Sequence, residues 1–134
     1  MLTDDDRRTY AGIANILIPE AEGMPSASQA GVPDRYLEEA LGYRPDLQDA
    51  FDQALEAGRG LPPADAVELL NSEHIPAFEA LGTLTAGAYF LNPDIRQRIG
   101  YPGQVPTPPK DDTDTYLHLL ENVMERGQVY RDAP

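Results

Sequence analysis

The chain has 134 residues, with 23 acidic and 10 basic side chains and a formal charge of −13. It contains no Cys, which excludes disulfides, thiolate metal sites, iron–sulfur clusters and Cys nucleophiles. The acidic balance argues against binding a nucleic-acid backbone or inserting at an anionic membrane surface, because both need clustered Lys and Arg.

Thr3 is placed to cap a first helix, with Asp4, Asp5 and Asp6 in its first turn, where negative charge offsets the positive end of the helix dipole. Tyr10, Ile13, Ile16 and Leu17 follow at helical spacing, and Pro19 ends the helix. Arg7-Arg8 ahead of an apolar run has only a superficial likeness to a twin-arginine export signal. Three Asp residues precede it, the apolar part is short and no small-residue cleavage site follows. No run approaches the ~18–20 apolar residues of a membrane span. A cytoplasmic location without membrane insertion is therefore expected, with co-export on a partner as the other route.

Glu20 to Pro33 reads as a long loop that must either pack on the surface or serve a function. Asp34 to Leu41 predicts a short helix closed by Gly42, with Tyr36, Leu37 and Leu41 on one side. Pro45 opens the next, with Leu47, Phe51, Ala54 and Leu55 as its stripe and Gly58-Arg59-Gly60 as its stop. Pro62-Pro63 opens another, with Val67, Leu69 and Leu70 buried. Pro76 to about Asn92 is apolar or small nearly all round, which predicts the central helix. Its stripe is Phe78, Leu81, Leu84, Ala88 and Leu91. Gly82 and Gly87 cost about 1 kcal/mol each against Ala in a helix interior, so close approach by a neighbouring backbone is expected there.

A short helix from Pro93 should turn Ile95 and Ile99 inward and Arg96 and Arg98 outward. A Pro-rich connector leads to a last helix, Thr115 to about Arg126, whose apolar face is Tyr116, Leu117, Leu120, Val123 and Met124. No stretch alternates with the period of a strand. The expected fold is all-α: a compact irregular bundle of about six or seven short helices with Pro/Gly-rich loops, one domain spanning 1–134.

Few residues could carry chemistry. His74 and His118 are far apart in sequence and read as surface or helix-end histidines, not as metal ligands. Asp111, Asp112 and Asp114 lack the spacing of a calcium loop and read as helix capping. Ser26, Ser28 and Ser72 are the only serines, and none lies in a nucleophile elbow. Gly58-Arg59-Gly60 and Gly100-Tyr101-Pro102-Gly103 form no phosphate cradle, so no FAD, NAD or metal is expected on this chain. Tyr101 beside a Pro-Gly turn either presents an aromatic contact or packs back onto the helices.

Several segments together resemble a known family. They are the first helix running into Ile18-Pro19-Glu20, the loop ending Ser28-Gln29-Ala30-Gly31-Val32-Pro33, and Ala86-Gly87-Ala88-Tyr89-Phe90-Leu91-Asn92-Pro93. Arg98-Ile99-Gly100-Tyr101-Pro102-Gly103-Gln104 and the closing Tyr116-Leu117 to Tyr130-Arg131 region continue the pattern. Their order and spacing are similar to the gluconate 2-dehydrogenase subunit 3 family, over almost the whole chain. The resemblance implies an accessory small subunit that assists folding, assembly or export of a large FAD-dependent oxidoreductase of the glucose–methanol–choline type. That partner would oxidise sugars or other alcohols, and the small subunit itself would be non-catalytic. The best interface candidates are Tyr101, Pro102, Gly103 and Gln104, with Met24 and Val32 from the Gly23-to-Pro33 loop. Tyr89 can join them, whereas Phe90 is expected in the core.

Two rival readings remain at this level. One is a standalone helical enzyme using Asp and Glu as acid and base, which a deep pocket with convergent carboxylates would favour. The other is a self-associating helical protein, whose acidic charge would have to be compatible with a seam between copies.

Overall fold

A computed structural model describes residues 2–106 and 108–129. Among these it contains seven α-helices and no strand beyond an isolated antiparallel bridge between Ala21 and Met24. The helices are α1 (Asp4–Leu17), α2 (Leu37–Tyr43), α3 (Gln48–Gly58), α4 (Pro63–Glu73), α5 (Ile75–Leu91), α6 (Pro93–Arg98) and α7 (Thr113–Arg126). A π-helical turn, Val32–Tyr36, runs into α2, and a 3-10 turn, Pro45–Leu47, runs into α3. The all-α reading is therefore right. The chain divides between Gly103 and Gln104 into two units, the first holding α1 to α6 and the second α7.

Local chemistry sets the helix ends. The Thr3 hydroxyl accepts the Asp6 N–H at 3.2 Å and the Asp6 carboxylate accepts the Thr3 N–H at 3.0 Å, a reciprocal capping box. Pro45, Pro63 and Pro93 stand at the first positions of their elements, where the missing N–H costs nothing. Asn92 caps α6 by accepting the Asp94 N–H at 2.8 Å.

In the first unit α5 is the axis of packing, touching α1 to α4, α6 and the π-helical turn. Tyr10, Ile13, Phe51, Leu70, Leu81, Leu84 and Ile95 are all fully buried around it. Tyr10 meets Phe51 edge to face, with ring centroids 5.3 Å apart. The Thr85 hydroxyl gives its one proton to the Leu81 carbonyl at 2.7 Å, so across the 3.0 Å contact with Tyr10 the phenol is the donor. Thr85→Val should therefore strand a buried donor and cost about 1–3 kcal/mol. Tyr10→Phe removes that donor and should cost only about 0.5–1.5 kcal/mol. Urea midpoints of the two variants test the order; a costlier Tyr10→Phe would reverse the donor assignment.

Several expectations are corrected. Ile16 is 48% exposed and Ala14 takes the inward position beside Ile13, because the buried stripe of α1 runs 10, 13, 14. In α4, Ala66 is buried with Leu70, while Val67 and Leu69 are only partly covered. Ile99 is exposed because α6 ends before it can turn inward. No atom of a neighbouring element lies within 4 Å of a Cβ built at Gly82 or Gly87 among the described residues. The close approaches fall elsewhere: a Cβ on Gly12 would stand 2.8 Å from the Pro63 ring, and one on Gly58 would stand 3.1 Å from Ile13. Gly12 sets how near α1 lies to α4, and Gly58 how near α3 lies to α1 and α4.

The long loop after α1 packs instead of hanging free. Ala27, Ala30 and Val32 are buried in the core. The Asn15 amide clamps Ser28 through two hydrogen bonds of 2.8 and 2.9 Å. Asn92 donates to the Ala30 carbonyl at 2.9 Å, and Arg7 donates to the Pro33 carbonyl at 2.9 Å.

Candidate functional site

The segment from α6 to Gly103 presents a turn whose backbone is fixed by hydrogen bonds. Gly100 adopts a left-handed backbone, φ 72°. The Tyr101 N–H donates to the Arg96 carbonyl at 2.8 Å and the Gly100 N–H donates to the Gln97 carbonyl at 3.0 Å. These paired bonds are a Schellman ending, which uses two carbonyls of the last helical turn and fixes the direction in which the chain leaves. The residue after the left-handed glycine is Tyr101, so its ring is aimed by backbone bonds and not by a loose loop. Tyr101 is 48% exposed and Ile99 is 51% exposed. Pro102 is exposed and Gly103 partly so, and Gln104, also exposed, belongs to the second unit. A hollow of about 440 Å³ lies against Pro93, Arg96, Gly100, Tyr101 and Pro102.

Three other predicted interface residues lie differently. Val32 is completely buried and cannot be offered to a partner, because the loop folds inward and carries it into the core. Tyr89 is also buried; its hydroxyl donates to the Pro25 carbonyl at 2.7 Å. Burial raises the Tyr89 phenol above its ordinary pKa, with the nearby Arg98 charge working against it. Its neighbour Phe90, expected inside, is 49% exposed and meets Tyr89 edge to face. The two have exchanged places relative to expectation, since the inward side of α5 passes through Thr85, Ala88 and Tyr89. Met24 is half-buried. Arg98 donates to the Gly23 carbonyl at 3.0 Å, tying α6 to this loop. The fold thus gathers Met24, the Tyr89 hydroxyl and α6 around Arg98, and leaves Val32 out.

A second hollow, about 700 Å³, lies between α1, α2 and α3, against Leu2, Asp6, Glu38, Asp52, Glu56 and Arg59. Its carboxylates are the feature that the acid–base reading asks for. Asp6 is held by Thr3 and by Arg59 at 2.8 Å, Glu38 pairs with Arg7, and Asp52 accepts from Gln48 at 2.9 Å. The Thr3 hydrogen bonds, then Arg59, push the Asp6 carboxyl below its ordinary pKa. A carboxylate held ionised in this way is a capping group and ion-pair partner, not a proton donor poised for acid catalysis.

In the second unit, Tyr116, Leu117, Leu120, Val123 and Met124 share one face of α7 and are all about half exposed or more. His118 is exposed beside Glu121 at 3.0 Å, and His74 is exposed at the junction of α4 and α5. No three His, Asp or Glu side chains among the described residues are grouped to hold a metal ion, and no described helix is long and apolar enough to cross a membrane. Against protein-family models, curated proteins and solved structures, the chain finds no match.

Proposed function

We propose that this chain is a non-catalytic small subunit that binds and stabilises a large FAD-dependent sugar or alcohol dehydrogenase of the glucose–methanol–choline type. The observation that carries the reading is the presented turn from Ile99 to Pro102. An aromatic and an aliphatic side chain stand half exposed on a backbone already fixed by two hydrogen bonds. Pre-ordered aromatic anchors of this kind supply much of the energy of protein interfaces, because little freedom is lost on docking. The apolar face of α7 offers further area of the same character. The segments that resemble subunit 3 proteins include both this turn and the α5–α6 junction that positions it.

Co-expression with a large flavoprotein of that type should yield a stable complex containing FAD. Tyr101→Ala should weaken that complex by about 2 kcal/mol or more, the scale of an interface hot spot. Two chains that elute separately at micromolar concentration would remove the proposal.

A further inference from the structure

The arginines of this acidic chain are not treated alike. Arg7, Arg8, Arg44 and Arg59 each reach a carboxylate, at distances of up to 3.8 Å. Arg35 lies over the Tyr36 ring. Arg96 and Arg98, like Arg35 and Arg126, have no carboxylate partner among the described residues, although acidic side chains outnumber basic ones by 23 to 10 in the whole chain. Arg98 uses one donor on the Gly23 carbonyl, and no side-chain hydrogen bond from Arg96 occurs among the described residues. Both sit in the last turn of α6, where positive charge complements the carbonyl end of the helix. They share that short helix end with Tyr101, and Arg96 lines the same hollow as Tyr101.

We infer that this edge docks an acidic segment of a partner polypeptide, with carboxylates on Arg96 and Arg98 and one apolar side chain against Tyr101 and Pro102. The inference rests on the reading of the chain as a partner-binding subunit and adds the chemistry of what it binds. Charge complementarity selects the occupant. A guanidinium presents several donors in a fixed fork suited to carboxylates, and no carboxylate of the described chain fills those of Arg96 and Arg98. The surrounding negative charge of the chain repels an acidic partner elsewhere on the surface, so the two arginines would also fix where it lands.

The test is an amide-resonance titration of the full chain with a capped Asp-Glu-Phe-Glu-Asp peptide at low salt. Shifts should concentrate on Arg96, Arg98, Gly100 and Tyr101. Arg96→Glu should weaken binding about tenfold or more, as should replacing the peptide's Phe by Ala. Arg8→Glu makes the same change in net charge away from α6 and should leave the affinity within about twofold. A Lys-Lys-Phe-Lys-Lys peptide should leave α6 unmoved. The inference is overturned if the acidic peptide shifts nothing near α6, if the lysine peptide or inorganic phosphate shifts the same resonances equally, or if Arg96→Glu binds normally while still folded. Co-purification with the flavoprotein is read separately. A complex without peptide binding at α6 sinks this inference alone. Peptide binding without a flavoprotein complex sinks the subunit reading and leaves the acidic docking edge standing.

Discussion

Phe51→Ala is expected to remove about 3–5 kcal/mol of stability. Phe51 is fully buried on α3, and its ring closes on Tyr10 of α1 at 5.3 Å in an edge-to-face pair. Truncation loses the transfer free energy of the ring and leaves a void. It also forfeits the aromatic pairing, worth about 0.5–1.5 kcal/mol beyond the buried area. The void cannot close cheaply. Gly12 of α1 already lies against Pro63 of α4, and Gly58 of α3 against Ile13 of α1 and Ala66 of α4, so these helices have little room to move closer. A domain of this size has about 5–15 kcal/mol in total, so the variant should lie near its unfolding transition. The shift of the urea midpoint at unchanged slope is the measurement. Phe51→Leu should recover more than half of the loss, and an alanine variant as stable as the parent would show that this seam is not the core.

The second large effect is an alkaline one. Burial pushes the Tyr10 phenol up from 10.0 to about 12. Between those two values the unfolded chain gives up a proton that the folded chain still holds. The stabilisation is thus complete below pH 10 and is lost as pH rises through the folded value, about 2–3 kcal/mol in all. Tyr89 shifts in the same direction and adds to the loss. The chain has seven tyrosines and one lysine, so only a comparison with Tyr10→Phe isolates the share of Tyr10. Urea midpoints at neutral pH and near pH 12 should separate widely for the parent chain and much less for Tyr10→Phe. Equal separations in the two proteins would assign the alkaline loss to other groups.

Helix ends were legible in advance because their causes are local. Thr3 with Asp6, and the prolines at 45, 63 and 93, act over three or four residues of chain. The turn at Gly100 was legible as a turn for the same reason, and its aromatic residue as a candidate contact. Arg96 and Arg98 were read only as outward-facing. The available signal was two arginines within three residues of an acidic chain, immediately before a Gly-Tyr-Pro-Gly turn. Neither has an ion-pair partner among the described residues, and pairing depends on which distant carboxylates the fold brings near.

Which side of each helix is covered was not local at all. A stripe at 3.6-residue spacing is blurred by a residue on either flank, and neighbours decide the flank. So Ala14 went in and Ile16 stayed out; Tyr89 went in and Phe90 stayed out. The glycines show the same division. Gly82 and Gly87 looked like points of helix contact by cost alone, but the contacts are at Gly12 and Gly58, where Pro63 and Ile13 arrive from elsewhere in the chain. From sequence by itself came the all-helical class, the caps and stops, and the turn at Gly100, since hydrogen-bond capping and φ preference act within a few residues; that Tyr101 is exposed came from the fold. The burial of Val32 and Tyr89, the inward fold of the long loop, and the absence of an ion pair at Arg96 and Arg98 among the described residues were decided by tertiary packing, which pairs residues that no local spacing relates.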